Sequence, residues 1–129
     1  MRAKKLRWAA ATVEMAVVMP LLLTVLLGII EYGWVFSVKA GLASAAREGA
    51  RVASLPGSTD ADIQNRVHDY LYQLPPTSYT ITLTRATVDN PVETVRLTIP
   101  YSRVSLFGGY FGHSSGLLEA KCSMRKEGN

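Results

Sequence analysis

Cysteine is almost missing from this chain: Cys122 is the only one in 129 residues, so no intramolecular disulfide framework can brace the fold. With no thiol or histidine pair near it, Cys122 offers no metal-ligand spacing, and it is expected to be a small buried hydrophobe on a strand. Acidic residues are missing from the first thirteen positions, whereas Arg2, Lys4, Lys5 and Arg7 all stand there. The ten basic residues that follow are balanced by ten acids, so the net charge of +4 belongs to the leader. Beyond Trp8 there is no Lys/Arg cluster that would make a basic face, which excludes a nucleic-acid partner. Length is short as well: 129 residues give one domain, and about a third of them go into an apolar segment and its flanks, too few left over for a large catalytic core. His113 with Ser114 and Ser115 is a sequence neighbourhood without a third orienting group. No catalytic, cofactor-binding or metal-binding residue is therefore assigned.

What is present is a charge-free run, Met15 to Ile30, sixteen residues long, extended by Trp8 to Val13 and interrupted only by Glu14. With about 20 residues needed to cross a bilayer core, this run is long enough to span. Pro20 inside it removes one backbone hydrogen bond, a defect tolerated in membrane helices. Glu31, Tyr32, Trp34 and Phe36 mark the far boundary, where aromatics suit the interface. The basic leader holds the N-terminus on the cytoplasmic side and sends the rest outward. A cleavable secretory signal is the alternative, since Ala43-Ser44-Ala45 imitates a small-residue cleavage site. Alanine-rich sequence with no proline before Pro56 continues the helical pattern, so one helix is expected from about Ala11 to Ala53. Glu48 lies three residues before Arg51, which places the two on adjacent turns.

A carboxylate just inside a hydrophobic span is costly unless paired, which makes Glu14 a functional candidate, the alternative being a residue solvated at the headgroup level. Basic leader, small residue, four residues, glutamate and a long apolar helix together resemble the head of type IV prepilins. The strings TVEMAVVMPLLLTVLLGIIEYGWVF and AAREGARVAS, covering about residues 10 to 54, resemble the TadE-like family of tight-adherence pilus systems more closely. The resemblance implies a minor pilin or pseudopilin that assembles or anchors a Flp-type pilus used in surface adhesion and biofilm formation. It implies a prepilin peptidase cutting between Ala9 and Ala10, with Glu14 as the fifth mature residue setting subunit register. Ala9 stands where prepilins usually have glycine, and Met15 where an aromatic is common. Gly28, Glu31, Tyr32, Arg47, Glu48 and Arg51 are the implied helix-packing or intersubunit residues. Glu31 is otherwise the outer limit of the span, and the Ala46 to Arg51 block is otherwise a solvated helix face. The implied partners are the inner membrane, the prepilin peptidase, the major pilin and other pilin-like subunits, and the pilus assembly platform. An envelope binding module on a signal anchor, unrelated to pili, is the rival reading.

The expected fold is α+β and pilin-like: leader 1–9, transmembrane and extended helix 10–54, and a small exported domain 55–129. In the last, Ser58 or Thr59 caps a second helix whose Ile63, Val67, Tyr70, Leu71 and Leu74 share a face, ending at Pro75-Pro76. His68 falls on its polar side. The period then changes to two: Tyr79, Ile81 and Leu83, then Val95, Leu97 and Ile99, then Leu118, Ala120, Cys122 and Met124 alternate with polar residues. Three antiparallel strands with one apolar face follow. Between the second and third lies SLFGGYFGHSSG, a glycine-rich connection with Phe107, Tyr110 and Phe111 partly exposed and no phosphate-loop lysine.

Overall fold

The computed structural model describes residues 2–72, 78–108, 110 and 115–127, with the side chains of 2–10 excepted. Helix α1 (Arg2–Ser54) is followed by α2 (Asp60–Leu71), then strands β1 (Thr80–Thr84), β2 (Val92–Pro100) and β3 (Leu117–Arg125). The strands form one antiparallel sheet in the order β1-β2-β3, so the fold is α+β. Helix α1 begins ahead of the expected start, because the leader contains neither proline nor glycine and is rich in good helix formers. By contacts the chain divides into two compact units, Met1–Gly33 and Trp34–Asn129.

The first unit is helix alone. Its apolar side chains point outward all round, with Val17 72%, Leu21 66% and Ile29 66% exposed. A helix apolar on every side belongs in a membrane or a core, and an eighteen-residue window here is apolar enough to cross a bilayer with none of it buried. The helix runs through Pro20, whose carbonyl accepts a 2.8 Å hydrogen bond from the Thr24 hydroxyl.

The second unit packs one stripe of α1 against the sheet and α2. Val35, Val38, Leu42, Ala45, Ala46, Ala50 and Ala53 are buried, a three-and-four spacing that keeps one face inward. They meet Ile63, Val67 and Leu71 of α2, Val95, Leu97 and Ile99 of β2, and Leu118 and Ala120 of β3. Register brings the apolar rows together, with Ile81 opposite Leu97, Val95 opposite Cys122 and Ile99 opposite Leu118. Cys122 is half-buried against this core. Small residues let the helix lie close: a Cβ on Gly49 would stand 2.7 Å from Val67 Cγ2 and 3.4 Å from Val95 Cγ1.

Two hydrogen bonds fix the sheet lengthwise on α1. Trp34 Nε1 donates to the Val104 carbonyl at 3.1 Å, and the Glu127 amide donates to the Ser54 carbonyl at 2.9 Å. Helix from Trp34 to Ser54 rises about 30 Å, and the nine residues of β2 cover nearly the same length. Strand β2 thus runs from the Ser54 end to the Trp34 end, and the β2–β3 connection lies at the latter.

Helix α2 carries Thr59 as its cap rather than Ser58. Asp62 returns the bond: its backbone N–H donates to Thr59 Oγ1 at 3.2 Å, and the Thr59 N–H donates to its carboxylate at 2.9 Å. Tyr70, which spacing puts on the apolar face, is 45% exposed, because a twelve-residue helix buries only the narrow row Ile63, Val67, Leu71. Leu74 and the expected end at Pro75-Pro76 lie outside the described residues. Gly57, with φ +76°, makes the turn between the helices, a conformation that side-chain-bearing residues rarely adopt.

Candidate functional site

Positions singled out by the sequence fall into two groups, one in each unit. In the first unit, Ala9 and Ala10 lie within the helical backbone of α1, and their side chains are outside the described residues. Glu14 is exposed one turn further along, followed by the exposed apolar run. Gly28 is half-buried, Tyr32 is 54% exposed, and Glu31 is buried at 2% exposure.

In the second unit, Arg47 is exposed and has no ion-pair partner among the described residues, whereas Glu48 and Arg51 are engaged. Glu48 Oε2 lies 3.3 Å from Arg51 Nε on the next turn of α1 and 3.3 Å from an Arg66 nitrogen on α2. The Arg66 hydrogen bond, with help from Arg51, holds the Glu48 carboxyl below the ordinary carboxylate range. Such exposed pairs contribute little stability. Their effect is geometric: they lay α2 alongside α1 and leave Arg47 as the free cation of the block.

Three arrangements were not anticipated from the sequence. Glu93 sits in the inward row of β2 with Val95, Leu97 and Ile99, and is 1% exposed. Lys126 Nζ, 3.1 Å away, and Arg85 Nε, at 3.7 Å, neutralise it, and Arg85 also donates to the Ser58 carbonyl at 2.7 Å. This cluster fastens the turn between the helices to the Ser54 end of the sheet. The signal was available, since running the alternation of β2 two residues back from Val95 puts a glutamate in the core row, where only a paired one is tolerated. Second, His68 is exposed, as its polar-side placement implied, and its Nδ1 shares a short hydrogen bond with the Tyr79 hydroxyl. Burial pushes the Tyr79 phenol up from its ordinary value. Third, the β2–β3 connection opens with a short 3-10 helix, Tyr101–Arg103, and the Tyr101 amide donates to the Gly116 carbonyl at 2.8 Å, closing its base. Phe107 and Tyr110 are 37% and 75% exposed, while Phe111, His113 and Ser114 lie outside the described residues.

A cut after Ala45 would remove Val35, Val38 and Leu42 from the core and start the mature chain at a fully buried alanine, Ala46.

Residues 9–51 match the profile of the family described as TadE-like protein. No curated protein and no solved structure matches the chain.

Proposed function

Taking the TadE-like segment at residues 9–51 as premise, we propose that this chain is a pilin-like membrane protein of a tight-adherence pilus system, a minor pilin or pseudopilin that helps assemble or anchor the filament. The observation that carries the reading is that the matched segment coincides with the exposed apolar part of α1 and continues into the stripe on which the second unit folds. The helix spans the inner membrane once, leader inside and the second unit exported, as the charge of Arg2, Lys4, Lys5 and Arg7 directs.

Prepilin peptidase cuts between Ala9 and Ala10 and creates an α-amino cation at the membrane edge. When helices bundle, the Glu14 carboxylate of a neighbouring pilin-like subunit compensates that cation, so both charges are paired as they leave water. Each pairing sets one axial stagger, which makes Glu14 the register device. Gly28, Glu31, Tyr32 and Arg47 provide contacts along the bundle, and the major pilin and the assembly platform are the partners that receive it.

Glu14→Ala tests the register role directly. It is expected to leave the amount of protein in the membrane unchanged and to abolish pilus assembly, read by sheared-filament yield and by capture of the major pilin. Normal filament yield from Glu14→Ala would overturn that role and favour a signal-anchored envelope binding module.

A further inference from the structure

Strand β3 forms one side of the sheet, and the two hydrogen bonds just past the ends of the β2–β3 ladder fix which of its backbone groups are engaged. The Tyr101 amide donates to the Gly116 carbonyl at 2.8 Å, and the Lys126 amide donates to the Pro91 carbonyl at 3.0 Å. Bonded and non-bonded pairs alternate along an antiparallel ladder, so in register with those two the even-numbered residues of β3 bond to β2. The amides and carbonyls of Leu117, Glu119, Lys121, Ser123 and Arg125 therefore point away from the sheet, and among the described residues no backbone group engages them. An uncovered edge of this kind is a template for another strand. At nine residues it is longer than the five-residue edge of β1. Charge on β3 is arranged poorly for a lone sheet. Lys121 stands directly opposite Arg96 of β2, an unfavourable juxtaposition of like charges, and has no ion-pair partner among the described residues. Arg96 is balanced instead by Glu119, whose Oε1 lies 3.2 Å from its Nη1.

We propose that β3 pairs antiparallel with β3 of a second copy about a two-fold axis at Ala120, joining the two sheets edge to edge. This register sets Glu119 opposite Lys121 of the second copy and Lys121 opposite its Glu119, so the unpaired cation of each chain acquires a counter-ion. Both pairs fall where the free backbone groups can exchange hydrogen bonds. The inward row matches as well, with Leu118 facing Cys122 of the second copy and Ala120 facing Ala120. Neighbouring registers are worse. An axis at Glu119 or at Lys121 sets like charges face to face, and an axis at Cys122 sets Leu118 against Lys126, which is already held by Glu93 at 3.1 Å. A two-fold contact is closed, so it adds no third copy. Strand β3 runs in the same sense as the Trp34–Ser54 stretch of α1, and the two copies of that stretch are therefore antiparallel in the pair. The contact thus differs from one between parallel neighbours in a helix bundle, and it does not rest on the pilus reading.

The test uses the full chain in mild detergent with Cys122→Ala and one added thiol, either Ala120→Cys or, as a control between β1 and β2, the exposed Val88→Cys. Opposite residues of a non-bonded antiparallel pair have Cα atoms about 4.5 Å apart, within the range a disulfide spans. Gentle oxidation is expected to give a covalent dimer through Ala120→Cys well above the Val88→Cys level. Adding Lys121→Glu should remove most of that dimer, because acid then faces acid across the axis. Adding Glu119→Lys together with Lys121→Glu should restore it, with the urea midpoint of each variant showing that the fold is kept. A dimer through Ala120→Cys no more abundant than the Val88→Cys control overturns the proposal. So does a dimer that forms through Cys122 of the unaltered chain and not through Ala120→Cys, since the axis would then lie elsewhere. A dimer through Ala120→Cys that ignores both charge changes overturns it too, because the Glu119 and Lys121 pairing would then hold nothing.

Discussion

Glu93 has its carboxylate buried in the core row of a strand, where its charge is held by Lys126 at 3.1 Å and Arg85 at 3.7 Å. Removing one partner leaves an under-compensated buried charge, so Lys126→Ala is expected to cost about 1–3 kcal/mol, read from the urea midpoint of the chain in detergent. Adding Glu93→Gln to Lys126→Ala should recover part of that loss, since the orphaned charge is gone; additivity of the two changes would count against the pair. Gly49 sets two opposing effects against each other. Alanine gains about 1 kcal/mol of helix propensity there, but its Cβ falls 2.7 Å from Val67 Cγ2, and overpacking costs about 1–3 kcal/mol. Val67 is β-branched on a helix and has essentially one χ1 well, so it cannot turn aside. Gly49→Ala is therefore expected to lower the thermal midpoint rather than raise it.

At the scale of elements, the alternating rows of Ile81 and Leu83, Val95 to Ile99 and Leu118 to Met124 declare the strands, and they pair in the register that stacks those rows. The single apolar run declares the exposed part of α1. Less legible were features that depend on what lies across space. The stripe from Val35 to Ala53 reads as an alanine-rich helix, and only its neighbours make it a wall of the core. Glu93 was missed because the strand starts at Val92, ahead of the alternating row from Val95, and the 3-10 turn at Tyr101–Arg103 because nothing periodic marks it. The choice of Thr59 over Ser58 as cap rests on Asp62 standing three residues on, and it carries a pH signature. Hydrogen bonds from the Thr59 hydroxyl and amide hold the Asp62 carboxyl below its ordinary value of 3.8. The unfolded chain then takes up more protons in acid, so the stabilisation is complete above that ordinary value and is lost as pH falls through the lowered folded value. Helicity of α2, followed by amide exchange, should accordingly weaken in that acid range. Thr59→Ala should cost about 1 kcal/mol at neutral pH and flatten the acid dependence.

For the whole molecule, the two units divide the labour along the chain. The first offers an apolar helix with Glu14 exposed near its start, and the second offers a sheet and a short helix built on the helix that continues from it. The TadE-like match covers the first unit's apolar run and most of the second unit's share of α1, and it ends before α2 and the strands. On the proposed reading, assembly chemistry belongs to the matched helix and the part of the chain beyond it sets contacts particular to this protein. Glu14 acts as a register device only if a cation is created opposite it, which makes the N-terminus of the mature chain the deciding quantity. Intact mass with N-terminal sequencing of protein recovered from its own bacterial membranes measures it. The account predicts a chain that begins at Ala10, with Glu14 fifth; a chain that keeps its leader would contradict the register role, and one that begins near Arg47 would contradict the spanning helix as well, because that helix would then have been discarded as a signal.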